Sequence, residues 1–274
     1  QGVAEQPRPG LFAVRPAFAP YLDPDGDQSL RSILDHDHHL LQRWARLADV
    51  VRTGEPAPRP SGEDGRRDPA ELRAFICGMK DISRRSSAEV ADALPELGDC
   101  RHLLDLGGGP GTAAITFCRR WPQLHAVVLD LPEVTPIAGQ EIAAAGLADR
   151  VTTLAGDYHA DPLRADGAPP YDAVYVANII HSLAPAETAD LLRRAVAELA
   201  PGGLVVVKDF FLDDTRAAPA FGARFAVNML VGTAGGKSYT WTETEGLLAD
   251  AGLADPRRHR VATHSGLVTA RKPA

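Results

Sequence analysis

The chain has 274 residues, 45% of them hydrophobic, enough for one large domain or a core domain with a smaller appendage. A formal net charge of −7 argues against a nucleic-acid backbone or an anionic membrane as partner, because both need a basic face. Cys77, Cys100 and Cys118 form no Cys-x-x-Cys pair, which disfavours a disulfide frame or a zinc knuckle. Gln1-Gly2-Val3-Ala4-Glu5 lacks the basic and apolar regions of a signal peptide, and no apolar run is long enough to span a bilayer. Reduced thiols in a cytoplasmic protein are the expectation.

Residues 1–27 are rich in Pro, Gly and Asp with little periodicity, and are predicted to be irregular. Leu30, Ile33, Leu34, Leu41, Trp44, Leu47 and Val51 recur at threes and fours, which predicts one amphipathic helix over 29–52. A polar, proline-rich loop is expected over 54–69. Leu72, Phe75, Ile76 and Met79 give an apolar face to a helix over 69–83, and a further short helix is expected over 87–94. Strands (102–106, 125–130, 150–155, 172–178, 203–210) then alternate with helices (111–121, 134–145, 186–199, 241–251). Such alternation predicts a parallel, doubly wound α/β sheet. Two last strands, 257–262 and 265–271, meet at His264-Ser265-Gly266 and predict a hairpin that lays an antiparallel strand in the sheet.

The most informative stretch is Leu103-Leu104-Asp105-Leu106-Gly107-Gly108-Gly109-Pro110-Gly111-Thr112, a short apolar strand that runs into a glycine-rich turn before a helix. Glycines there let the backbone approach a ligand closely. Asp130 follows the next apolar strand, roughly 20 residues on, where an acid can hold both hydroxyls of a ribose. Two cofactor families share this layout. Nicotinamide and flavin enzymes seat a pyrophosphate on Gly-x-Gly-x-x-Gly, a pattern that Gly109, Gly111 and Ala114 only loosely satisfy. S-adenosyl-L-methionine (SAM) enzymes carry an acid before alternating glycines, as in Asp105, Gly107, Gly109 and Gly111. A ligand-free tight turn is the structural alternative.

Further motifs follow in order: Leu47-Ala48-Asp49-Val50-Val51-Arg52-Thr53-Gly54, Phe75-x-x-x-Met79-x-x-x-Ser83, Asp130-Leu131-Pro132, Gly156-Asp157-Tyr158, His181, Pro201-Gly202-Gly203, Lys208-Asp209, Asn228-Met229-Leu230 and Gly235-Gly236-Lys237. From about Leu11 onward this ordered set resembles the class I SAM-dependent O-methyltransferases of the plant caffeate/hydroxyindole type and their bacterial relatives in pigment and antibiotic biosynthesis. The resemblance implies a doubly wound, Rossmann-like SAM-methyltransferase sheet with an antiparallel C-terminal strand. A helical segment (1–95) would precede a SAM-binding catalytic domain (96–274). Family members usually begin with a winged-helix dimerisation domain; here the chain starts near its end, so a homodimer would form without that support.

The resemblance also implies roles. Asp105, Gly107 and Gly109 would flank the methionine end of SAM. Asp130 and Leu131 would hold the ribose, and Gly156, Asp157 and Tyr158 the adenine. Ser83 would touch the carboxylate end. The family's lysine four residues before the catalytic histidine is Ala177 here, with Asn178 as a partial substitute. Met79, Phe225, Asn228 and Met229 would line a pocket for an aromatic acceptor.

Methyl transfer to a phenol needs the proton removed, and a histidine at the carboxyl end of a strand suits that task. His181 holds this position, and Asp209, ending the next strand, would orient it. A second acid usual after Gly-Gly-Lys is Ser238 here. The His36-Asp37-His38-His39 cluster places only His36 and His39 on one helix face, and the resemblance is to a metal-independent branch, so no metal is expected. The implied reaction is O-methylation of a small aromatic or polyketide-like metabolite, yielding S-adenosyl-L-homocysteine. The alternatives are C- or N-methylation, or a decarboxylase- or hydroxylase-type relative.

Overall fold

The computed structural model describes residues 2–23, 26, 28–58, 69–261 and 264–274. The predicted irregular lead-in is instead a small antiparallel hairpin, β1 (Ala4–Arg8) and β2 (Leu11–Val14), turned at Pro9-Gly10 with Gly10 at φ 77°. A single helical turn, α1 (Ala19–Leu22), follows. The helix predicted over 29–52 is two: α2 (Arg31–Trp44) and α3 (Leu47–Thr53), with a turn at Ala45-Arg46.

The helices predicted over 69–83 and 87–94 are one 25-residue helix, α4 (Pro69–Ala93). Its polar middle continues because the side chains there support one another: Arg84 pairs with Asp81 at 3.0 Å, and Arg85 with Glu89 at 3.0 Å. Ser86 donates its hydroxyl back to the preceding turn's carbonyls.

Alternation then proceeds as predicted, with small boundary shifts: β3 (His102–Leu106), α5 (Thr112–Arg120), β4 (His125–Asp130), α6 (Thr135–Ala144), β5 (Val151–Ala155), β6 (Tyr171–Ala177), α7 (Pro185–Ala197) and β7 (Leu199–Asp209). Helix α8 (Ala220–Gly232) was not anticipated; α9 (Trp241–Asp250) was. The closing hairpin is β8 (Ala254–Arg260) and β9 (Gly266–Arg271).

The main sheet has seven strands in the order β5-β4-β3-β6-β7-β9-β8. The first five run parallel, and β9 pairs antiparallel with both β7 and β8. The chain winds outward from β3 through β5, then returns to β6 and winds the other way. The switch point lies between β3 and β6, and ligands in open α/β sheets sit at the carboxyl ends of strands beside such a point.

Strand alternation splits the core into two layers. Val206 and Tyr175 pack with Phe117 and Ala114 of α5, Ile142 of α6, and Val90 and Ala91 of α4. Val205, Val207 and Val174 pack with Leu191 of α7 and Leu248 of α9. The last turns of α4 therefore belong to the sheet's core, while its first turns extend beyond it beside α2. Among the described residues, no helix is long and apolar enough to cross a membrane.

Candidate active site

The glycine turn leaves β3 at the switch point. Gly107, Gly109 and Gly111 adopt φ of 63°, 55° and 74°, a left-handed region that L side chains rarely enter. A Cβ on Gly107 would lie 2.5 Å from Cδ1 of Ile179, and one on Gly108 would lie 2.6 Å from Cγ of Asp105. Beside Gly109 there is open space. The turn is thus closed around Gly107, Gly108 and Gly111 and open at Gly109.

Asp105 is 2% exposed and accepts a 3.3 Å hydrogen bond from the Ala114 N–H at the start of α5. Burial pushes its carboxyl up to about 7; the Ala114 bond opposes this and the nearby Asp130 adds to it. Asp130 is half-buried at the end of β4. Its carboxylate accepts from Gly109 N–H at 2.7 Å and Leu131 N–H at 2.8 Å, and burial outweighs these bonds to raise its pKa. Leu131 is 38% exposed, an apolar surface next to a carboxylate.

Gly156 donates its N–H to the Asp130 carbonyl at 3.0 Å, which fastens the next loop to β4. Asp157 accepts from His159 N–H at 2.8 Å, so it caps its own turn. A Cβ on Gly107 would also lie 3.6 Å from Tyr158, whose ring therefore closes the cleft beside Ile179. Burial pushes the Tyr158 phenol up to about 12, with the charges of Asp130, Asp157 and Glu187 adding to it and a Ser182 hydrogen bond opposing it. Asn178 sits at φ 57°, held by its N–H donated to the Lys208 carbonyl at 2.8 Å. Its side-chain Oδ1 is buried with no partner. Ser83 is half-buried within α4, not at a helix end.

His181 lies in a short 3₁₀ turn, Ile180–Ser182, just past β6. Its Nδ1 is 2.7 Å from Asp209 Oδ1, and its backbone N–H donates to Asp209 Oδ2 at 3.3 Å. Asp209 is 3% exposed and also accepts from Phe210 N–H at 2.7 Å. The ring's second nitrogen, Nε2, has no hydrogen bond among the described residues. The expected partner acid position, Ser238, does not serve the ring: its buried hydroxyl donates to the Gly222 carbonyl at 3.2 Å. What Gly235-Gly236-Lys237 supplies is a backbone brace. Lys237 N–H donates to the His181 carbonyl at 2.9 Å, and a Cβ on Gly236 would run into that same carbonyl.

Phe225 meets the His181 ring edge-on, with centroids 4.8 Å apart. Asn228 is engaged elsewhere, its Oδ1 accepting from the Trp44 indole N–H at 3.0 Å, while Arg43 donates to the Gly232 carbonyl at 2.6 Å. These bonds clamp α2 onto α8. Met229 is buried, and Met79 is half-buried one residue past Gly78, where α2 crosses so closely that a Cβ would lie 3.2 Å from the Ile33 Cα. Two aromatics went unread in the sequence. Phe210 lies 6.2 Å from the His181 ring and 4.5 Å from Phe225, and Phe221 lies 5.0 Å from Phe210. Phe221 and Phe225 are four apart on α8, a signal visible only once that helix is recognised. Among the described residues, no group of three or more His, Cys, Asp or Glu side chains is placed to hold a metal.

An open glycine turn, a half-buried acid at the second strand end, an orphaned amide oxygen and a carboxylate-held histidine therefore gather at the carboxyl ends of β3, β4, β6 and β7, beside the switch point. Residues 44–254 match the O-methyltransferase domain family. The chain belongs to that family. Among O-methyltransferase relatives, 3-hydroxy-5-methyl-1-naphthoate 3-O-methyltransferase of Streptomyces sahachiroi is 34% identical, over 80% of this chain and 63% of that protein. The tetracenomycin polyketide synthesis 8-O-methyl transferase of Streptomyces glaucescens is 33% identical, over 86% of this chain and 69% of that protein. The structure of human N-acetylserotonin methyltransferase in complex with SAM superposes with a TM-score of 0.86 at 26% identity, covering 100% of this chain and 80% of that one. The chain thus spans about two thirds of the length of the curated relatives it matches.

Proposed function

We propose that this protein is a SAM-dependent methyltransferase acting on a hydroxyl of a small, flat aromatic metabolite. The observation that carries the reading is the 2.7 Å His181–Asp209 pair set across the switch point from the glycine cradle. The polar groups there suit the cofactor: among the described residues the buried Asn178 Oδ1 has no hydrogen-bond partner, and burial raises the Asp105 carboxyl. When bound, SAM supplies an electrophilic methyl group on a sulfonium.

The remaining work falls to this chain's residues. Asp130 and Leu131 would hold the ribose, Tyr158, Asp157 and Gly156 the adenine, and Asp105, Gly107, Gly109 and Ser83 the amino-acid end. Asp209 holds Nδ1–H of His181, which fixes the tautomer and leaves Nε2 free to take the acceptor's phenolic proton. Phe225 and Phe210, both half-buried, offer an aromatic wall beside the His181 ring for a flat acceptor. Met79, Asn228 and Met229 shape the far side of that pocket, Asn228 through its bond to Trp44. Helix α2 and the first turns of α4 form the cap of a catalytic unit of residues 96–274. The net charge of −7 fits a small-molecule partner and cytoplasmic work rather than nucleic acid or membrane.

The test is incubation with methyl-labelled SAM and a panel of hydroxynaphthoates and hydroxyanthraquinones, with products resolved by mass spectrometry and NMR. One added O-methyl group is expected. Label on carbon or nitrogen, or no transfer to any phenol, would overturn the O-methylation reading.

A further inference from the structure

Lys208 is a buried cation that the acid–base pair does not account for. It is 2% exposed, yet its ammonium has no hydrogen-bond or ion-pair partner among the described residues. It precedes Asp209 on β7, and side chains alternate along a strand. Asp209 therefore turns to His181, while Lys208 turns to the opposite face, which Val206 shares with Tyr175 and α5.

The register places Lys208 beside Ala177, and Ala177 two residues beyond Tyr175, the partner of Asp105. Gly107 stands two residues beyond Asp105. Gly107, Ala177 and Lys208 thus fall in one row across the carboxyl edge of three adjacent strands. Ala177 carries only a methyl group, so the row is open between the glycine turn and the lysine stem. Two strand spacings, about 10 Å, separate β3 from β7. A lysine reaching from one side and an amino-acid tail from the other span that gap together.

Two acids face the ammonium: Asp209 on its own strand and Glu89 on α4. Both are engaged, Asp209 by His181 and Glu89 by Arg85 at 3.0 Å. Burial pulls the Lys208 pKa down to about 8 against their attraction. An ammonium largely withdrawn from water and without a partner is costly, and an anion arriving beside it would reduce that cost.

We propose that Lys208 receives the α-carboxylate at the amino-acid end of the cofactor, replacing from the neighbouring strand the cationic side chain that Ala177 lacks. The proposal rests on the SAM reading of the cleft.

The experiment is calorimetric titration of wild-type protein and Lys208→Met with two nucleosides: S-adenosylhomocysteine, which has the carboxylate, and 5′-methylthioadenosine, which lacks the whole amino-acid end. Methionine fills the lysine's volume without its charge. Lys208→Met is expected to weaken S-adenosylhomocysteine by roughly 10- to 100-fold, the range for a hydrogen bond to a charged group, and to leave methylthioadenosine unchanged. Lys208→Arg should recover part of the loss. Equal weakening of both nucleosides, or no weakening of either, would overturn the assignment of Lys208. Wild-type protein that binds neither nucleoside would instead overturn the SAM reading itself.

Discussion

Asp105→Asn gives a stability change whose sign and size follow from one buried carboxyl. Burial moves this group from 3.8 to about 7. Between those values the folded chain holds a proton that the unfolded chain has released. Stability therefore falls as pH rises through that window and levels off above it. At 1.36 kcal/mol per unit the full loss is on the order of 4 kcal/mol. Roughly 2–3 kcal/mol of it lies between pH 5 and pH 8. Asparagine keeps the shape and an acceptor for the Ala114 N–H, and carries no proton to lose. Asp130, raised by burial as well, adds a slope of the same sign to both proteins, and its coupling to Asp105 is part of the measured difference. Urea unfolding of both proteins across this range measures it. The wild-type stability, taken relative to Asp105→Asn, should drop steadily from acid to alkaline pH. A difference independent of pH would refute the reasoning that Asp105 is buried without a resident counter-charge.

Asp209→Asn removes the charged acceptor of the 2.7 Å His181 contact and should slow turnover roughly 10- to 100-fold, the equivalent of about 1.5–3 kcal/mol, while S-adenosylhomocysteine affinity stays unchanged. Steady-state kinetics with a hydroxynaphthoate acceptor checks this, and an undiminished kcat would remove Asp209 from the mechanism. Gly107→Ala forces a Cβ to 2.5 Å from Ile179 at φ 63°, so cofactor affinity should fall at least about tenfold, the left-handed backbone alone costing roughly 1–2 kcal/mol. Equilibrium dialysis against labelled S-adenosylhomocysteine reads that loss. Trp44→Phe deletes the indole donor to Asn228, which should lower Tm by about 2–4 °C per kcal/mol lost and raise the acceptor KM more than it lowers kcat. Scanning calorimetry and the same kinetic assay separate the two effects.

The sheet was legible because its strands are short apolar runs bounded by turn residues. Leu103–Leu106 and Val174–Val176 are buried on both faces and could hardly be read otherwise. The closing hairpin was legible from its turn. The elements that went unread carry weaker signals. Helix α8 is apolar and glycine-punctuated, at Gly222 and Gly232, so it shows little polar contrast. It is tied to α2 by the bonds that Arg43 and Trp44 make to it, contacts some 190 residues distant in sequence. The Pro9-Gly10 turn was a visible hairpin signal, but its flanking strands lie exposed and lack a buried alternate face. Conversely, residues 84–86 fell between two predicted helices, and ion pairs at one-turn spacing carry α4 through them.

At the site, the spacing of Asp105, Asp130, His181 and Asp209 was readable because each follows an apolar strand, and the structure brings the last two into contact. The bracing of His181 by the backbone of Gly236 and Lys237 was not readable. A motif that suggested an acid at position 238 positions the histidine through main-chain atoms instead. The aromatic wall of Phe210 and Phe221 likewise needed α8 in place.

The central claim is that the cradle formed by Gly107, Gly109 and Asp130 takes a SAM-type nucleoside. Calorimetric titration of the protein with S-adenosylhomocysteine and, separately, with NAD tests it most directly. The account predicts saturable one-site binding of S-adenosylhomocysteine that is lost in Asp130→Ala, and no heat from NAD. Binding of NAD without binding of S-adenosylhomocysteine would contradict it.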